Sequence, residues 1–117
     1  MNIHEFYETI GGDYNEVCSR LMKEERILKY LNKFLLAEDH DNLHKFISEE
    51  NWPEAFRAIH SLKGVSLNLG LAPLFKVSDV LCEEIRNGAP QRDISGMVSD
   101  VDAAYESVVA FIKGIDQ

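Results

Sequence analysis

Residues 53–70, PEAFRAIHSLKGVSLNLG, decide the fold class because they contain a helix together with both of its ends. Pro53 suits the first turn of a helix, where its missing N–H costs nothing, and Gly70 suits the position after a helix. On a helical wheel with His60 at zero, the apolar stripe is centred about 180° away. Its members are Ala55, Ala58, Ile59, Leu62 and Leu69. We therefore predict an amphipathic helix from 53 to about 68, with His60 facing away from the core.

Helical spacing of apolar residues recurs along almost the whole chain. It predicts four long helices at 24–38, 53–68, 72–87 and 94–113, each about 22 to 30 Å long. Three shorter helices are also predicted. The first covers residues 3–10, the second follows an N-cap at Asp13, and the third covers 42–49 after an N-cap at Asp41. No segment alternates with the period of a strand. We expect an all-α fold, an up-and-down four-helix bundle with short additional N-terminal helices, as a single domain over residues 1–117.

The composition excludes several classes of function. The chain has 117 residues, 45% of them hydrophobic, and a net charge of −8, which disfavours nucleic acid as a partner. Its longest apolar stretch is far too short for a membrane span, so no membrane partner is expected. Two cysteines, Cys18 and Cys82, do not make a disulfide framework. We expect a cytoplasmic monomer, and the methionine at position 1 favours a protein that stands alone.

The face of the helix around His60 has an unusual set of neighbours. Lys63 and Gly64 follow it by one turn on the same side, and a glycine in mid-helix costs about 1 kcal/mol relative to alanine. Apolar and basic side chains border the histidine: Phe56, Arg57 and Leu67. An outward histidine with a nearby cation, a missing side chain and an apolar rim indicates a docking surface. Phosphate or carboxylate chemistry against another macromolecule fits this set better than metal binding.

The run from His60 to Gly70 resembles the motif of histidine-containing phosphotransfer (HPt) domains. In that family Lys-Gly follows the histidine at three and four, a small residue at six and glycine at ten, matched here by Lys63, Gly64, Ser66 and Gly70. The resemblance covers nearly the whole chain, from Gly11-Gly12-Asp13 onward. Two positions depart from the family. Val65 stands where Ser or Ala is frequent, and Cys82 stands where many members have a Gln or Glu that orients the imidazole.

The resemblance implies that His60 accepts a phosphoryl group from a phospho-aspartate on a response-regulator receiver domain, or donates one to it. Lys63 would pair with the phosphoryl oxygens, and Gly64 would leave room for the receiver. Phe56, Arg57 and Leu67 would form the docking surface. A hybrid histidine kinase is a further possible partner. The domain would carry no cofactor and would not be an enzyme alone, since Mg²⁺ and the completing carboxylates would come from the receiver.

Two other interpretations of the sequence stay open. A non-catalytic helical adaptor explains the bundle and the apolar rim, but leaves Lys63 and Gly64 unexplained. His40 and His44, four residues apart between Asp39 and Asp41, are compatible with a metal site. We expect the Asp41 N-cap to separate the two histidines, so we interpret this segment as a solvated connection and predict no metal site.

Overall fold

The computed structural model describes residues 1–117 and contains seven α-helices and no strand, which confirms the all-α prediction. The helices are α1 Ile3–Ile10, α2 Tyr14–Leu21, α3 Glu24–Leu36, α4 Asp39–Ser48, α5 Trp52–Asn68, α6 Ala72–Glu84 and α7 Ser95–Lys113. The largest difference from the predicted ends of the long helices is at α6, which stops at Glu84 rather than 87. None of the seven has both the length and the apolar character that a membrane span requires.

The helices pack largely in chain order. α4 packs on α5, α5 on α6 and α6 on α7, while α3 contacts α2 and α7. One core runs through the molecule, which measures 41 × 22 × 21 Å. Every helix contributes buried apolar side chains to it, among them Phe6, Val17, Leu31, Leu43, Leu62, Leu81 and Val108. The stripe predicted for α5 is buried in full.

Helix α4 corrects the expected break at Asp41. The helix begins at Asp39, and Glu38 occupies the N-cap position without any side-chain cap. Asp39 and Asp41 therefore lie in the first turn, where acidic side chains interact favourably with the positive end of the helix dipole. Consequently His40 and His44 lie on one continuous helix instead of flanking a solvated connection.

The C-terminal end of α5 is closed by the N-terminal helices. The hydroxyl of Tyr7 on α1 donates to the carbonyl of Leu69 at 2.7 Å. Arg20 on α2 donates to the carbonyls of Leu67 and Asn68, each at 3.0 Å. These bonds add to the partners of the carbonyls at this helix end, where that of Leu67 also accepts from the N–H of Gly70 at 3.2 Å, and the guanidinium lies at the negative end of the dipole.

Two glycines allow this close approach. Gly70 follows α5 with φ of +67°, a left-handed conformation that side chains rarely adopt. A Cβ atom on Gly12 would lie 2.5 Å from the carbonyl oxygen of Gly70. The turn between α1 and α2 is therefore packed directly against the turn after α5.

Candidate functional site

Helix α5 holds His60 on its exposed face, as the helical wheel predicts. The helix starts at a turn in which the Asn51 side chain accepts from the N–H of Glu54, and Pro53 lies in its first turn. Its opposite face is buried in the core, and buried Ser66 belongs to that face, its hydroxyl bonded to the Leu62 carbonyl at 2.7 Å. Packing of one face thus orients the imidazole outward.

The imidazole of His60 has one aromatic neighbour. The Phe56 ring lies 5.6 Å from it between centroids, tilted by 38°. The guanidinium of Arg86, from beyond the end of α6, lies 5.3 Å from the centre of the same Phe56 ring. No side chain of the protein donates to or accepts from the His60 ring nitrogens. The exposed ring therefore has Phe56 as its aromatic neighbour, and its nitrogens have no side-chain hydrogen-bond partner within the protein.

Cys82 lies beneath this surface and is fully buried. Burial raises the pKa of its thiol, although the charges of Lys63 and Arg86 oppose that shift. No hydrogen bond joins the thiol to His60. The position at which the resemblance to HPt domains implies a residue that orients the imidazole is thus occupied by a core residue in this protein.

Lys63 is held by a carboxylate of α6, a contact that the sequence pattern does not predict. Its Nζ atom lies 2.9 Å from Oδ1 of Asp79 and 4.0 Å from Oε1 of Glu83, both on α6. The hydrogen bond to Asp79 raises the pKa of Lys63. Asp79 and Glu83 are four residues apart, a spacing that places them on one face of a helix. That spacing predicts an acidic edge on α6, but not its contact with Lys63.

Gly64 lies in open space on the exposed side of α5. A Cβ atom added there would meet no heavy atom within 4 Å, so packing inside the protein does not require a glycine. Leu67, one turn further, has 53% of its surface exposed. On the N-terminal side of His60, Arg57 is exposed and forms a salt bridge with Glu54, with 3.1 Å between Nη1 and Oε1. The structure therefore brings the predicted site residues to one side of α5.

Several hollows border this side of the helix, and two of them contain residues discussed above. A groove of about 510 Å³ lies between the start of α5 and the end of α6, and Phe56, Arg57 and Arg86 line it. A cavity of about 700 Å³ lies between α2, α3 and α5, where Ser61 and Val65 form part of its wall. Val65, the departure from the family motif, is thus half-buried at the edge of the core.

Comparison with known protein families identifies the family to which the chain belongs. The family model for the Hpt domain matches residues 33–110, two thirds of the chain, including the whole of α4, α5 and α6. This chain belongs to the Hpt domain family. Neither the curated proteins nor the solved structures include a match to it. Hpt domains are histidine phosphotransfer modules of phosphorelays, and the match includes His60, Lys63 and Gly64, while α1 and α2 lie outside it.

Proposed function

We propose that this Hpt domain carries a phosphoryl group on His60, received from a phospho-aspartate of a response-regulator receiver domain and returned to another. The observation that supports this most directly is the exposed imidazole of His60 inside the Hpt match, with no side chain bonded to its nitrogens. The other three histidines, His4, His40 and His44, do not occupy the histidine position of the family motif.

The proposed reaction is an in-line displacement at phosphorus. A neutral ring nitrogen of His60 attacks, the N–P bond forms, and the P–O bond to the aspartate carboxylate breaks, so the carboxylate leaves with the electron pair. Charge in the transition state spreads over the phosphoryl oxygens, which a nearby cation stabilises. Mg²⁺ would be held by the receiver, and the Hpt domain alone would not be an enzyme or need a cofactor.

Lys63 would supply that cation on the Hpt side. Its ammonium is bound to Asp79, so Asp79 holds the charge one turn from His60 in the unphosphorylated protein. The Lys63 side chain is 22% exposed and the Asp79 side chain 43%, so solvent weakens the pair. We propose that Lys63 exchanges Asp79 for the phosphoryl oxygens after transfer.

The receiver would dock across the exposed side of α5. Leu67 offers apolar surface after His60, and Phe56 and Arg57 offer an apolar and a basic contact before it. Gly64 would let the aspartate of the receiver approach, because reacting atoms must come within about 3 to 3.5 Å for transfer. A hybrid histidine kinase would present its own receiver to the same surface.

The proposal includes an up-and-down four-helix bundle as the scaffold. α5, α6 and α7 pack in succession, and short connections favour antiparallel neighbours. α3 and α4 together would fill the fourth position, since α4 packs on α5 and α3 contacts α7.

Mass spectrometry after incubation with a phosphorylated receiver domain tests the function. We expect a gain of one phosphate that is lost in acid, as phosphohistidine is, and no gain with His60→Gln. Stable receiver binding without any mass gain would instead favour the non-catalytic adaptor.

A further inference from the structure

A second group of histidines lies where α4 meets α7, apart from the residues proposed for phosphotransfer. The Nε2 atom of His40 lies 2.7 Å from Oδ1 of Asp102, and the Nε2 atom of His44 lies 2.6 Å from the same oxygen. Asp102 is on α7, and the two histidines are one turn apart on α4. Two imidazole nitrogens and one carboxylate thus converge on one point.

We propose that His40, His44 and Asp102 form a binding site for a divalent transition metal, Zn²⁺ above all, that links α4 to α7. Histidines at i and i+4 on a helix present both rings on one side, the spacing that helical zinc sites use. Each residue can offer one ligand atom, and these atoms all lie within 4.8 Å of one another. Bonds of about 2.0 to 2.2 Å to zinc would require each Nε2 atom to move away from Oδ1 of Asp102, which the two now approach to 2.7 and 2.6 Å.

The surroundings hold these side chains in place. The His40 ring stacks on the Tyr105 ring at 4.0 Å between centroids, with 13° between the planes. The rings of His40 and His44 are 5.0 Å apart and nearly perpendicular. With only 15% of its side chain exposed, His40 has little freedom to turn away. A preorganised ligand set loses less freedom when it binds a metal.

The electrostatic environment favours a cation. The Asp102 side chain is only 30% exposed, so its carboxylate lies in a partly desolvated environment that attracts a cation more strongly than bulk water allows. Two further carboxylates, Asp39 and Asp41, lie in the first turn of α4.

The ligand types narrow the choice of metal. Imidazole suits Zn²⁺, Cu²⁺ and Ni²⁺, whereas Mg²⁺ and Ca²⁺ prefer sites built from oxygen ligands. Three protein ligands leave at least one coordination position for water. The His44 side chain is 45% exposed, which gives water access to that position.

Calorimetric titration of ZnCl₂ into the full chain, stripped of metal with a chelator, tests this site. We expect one Zn²⁺ per chain for the wild type. Loss of a group that merely supports a metal ligand weakens binding by about 10- to 100-fold. His44→Gln and Asp102→Asn, which remove ligands, should therefore weaken it by at least tenfold. The matched control is His4→Gln, an exposed histidine on α1, which should bind like the wild type.

Two further readouts identify the ligands. Zinc in large excess should raise the thermal midpoint of the wild type by about 4 °C or more, and that of His44→Gln by clearly less. Bound Co²⁺ should show no thiolate-to-metal charge-transfer band, which excludes Cys18. Absence of zinc binding by the wild type, equal binding by a correctly folded Asp102→Asn, or a thiolate band would overturn the proposal. Far-ultraviolet circular dichroism establishes that each variant is folded.

Discussion

The Nζ atom of Lys63 lies 2.9 Å from Oδ1 of Asp79, so the cation one turn after His60 is already paired with α6. The pair joins the helix of the proposed phosphoacceptor to its neighbour. An ammonium bound to a carboxylate exerts a weaker field on its surroundings than a free one. Asp79 therefore limits how much of the charge of Lys63 acts on the neighbouring imidazole of His60.

Replacing Asp79 by Asn should shift the phosphoryl equilibrium between this domain and a receiver toward phospho-His60. The released ammonium would be free to pair with the phosphoryl oxygens. Exposed ion pairs contribute about 0.2 to 1 kcal/mol, so the shift should not exceed about fivefold. Mass spectrometry of both proteins at equilibrium measures the ratio.

The control for Asp79→Asn is Asp100→Asn, which changes the net charge equally at an exposed position on α7. It should leave the ratio unchanged. In a Lys63→Met background the effect of Asp79→Asn should disappear. A shift of the same size in that background would show that Asp79 acts without Lys63.

Replacing His60 by Gln should abolish acid-labile phosphorylation and leave stability nearly unchanged. The side chain is exposed, and exposed substitutions usually change the free energy of unfolding by less than about 0.5 kcal/mol. Labelling by a phosphorylated receiver and thermal unfolding give the two quantities. His4→Gln should be labelled like the wild type, and a large loss of stability in His60→Gln would make His60 a structural residue.

Substitutions of Gly64 should separate stability from transfer. Gly64→Ala should stabilise the fold by about 1 kcal/mol, because glycine is the poorer helix former and the added Cβ meets no neighbour. Gly64→Gln should also fold, but its side chain would obstruct the receiver and slow transfer by about 10²-fold. Urea unfolding and single-turnover transfer rates measure both effects.

The alanine variant is the matched control for the glutamine variant, since both remove the glycine and only one adds bulk. If Gly64→Gln unfolds the protein, the glycine is required for packing. If it folds and transfers at the parent rate, the proposed clearance for the receiver is wrong.

Removing the hydroxyl of Tyr7 should destabilise the protein at neutral pH but not in strong alkali. Tyr7→Phe leaves the Leu69 carbonyl without its 2.7 Å bond, at a cost of about 1 kcal/mol. Burial raises the pKa of Tyr7 above the ordinary value of 10.0, so the folded protein keeps the phenol proton where the unfolded chain releases it. The contribution of the Tyr7 phenol to the free energy of unfolding is complete below pH 10. It is lost as the pH rises further, by about 1.4 kcal/mol for each pH unit.

The advantage of the wild type over Tyr7→Phe should therefore vanish near pH 11. Urea unfolding of both proteins at pH 8 and pH 11 measures it. The remaining titrating groups are common to both proteins and cancel in the difference. An advantage of constant size across this range would show that the phenol ionises equally in the folded and unfolded states.

Much of the fold could be predicted because the signals are local. Pro53 and Gly70 bracket α5, and the apolar stripe between them orients His60 outward. The open position of Gly64 follows from the same wheel. These properties depend on one helix and on which of its faces is apolar.

The rest depends on contacts between helices, which one sequence does not encode by local pattern. The pairing of Lys63 with Asp79 depends on how α6 is oriented about its own axis when it packs on α5. The contacts of His40 and His44 with Asp102 join residues 62 and 58 positions apart. The break expected at Asp41 was wrong for a different reason, because acidic residues are as suited to a first helical turn as to a cap.

The closure of α5 by Tyr7 and Arg20 has a consequence for local unfolding. Those side chains reach carbonyls that lie 62 and 47 residues further along the chain. Fraying of the last turn of the helix that carries His60 would break these hydrogen bonds, so we expect this turn, α1 and α2 to open as one cooperative unit. In native-state hydrogen exchange their slowest amides would share a single opening free energy, although the family match begins only at residue 33.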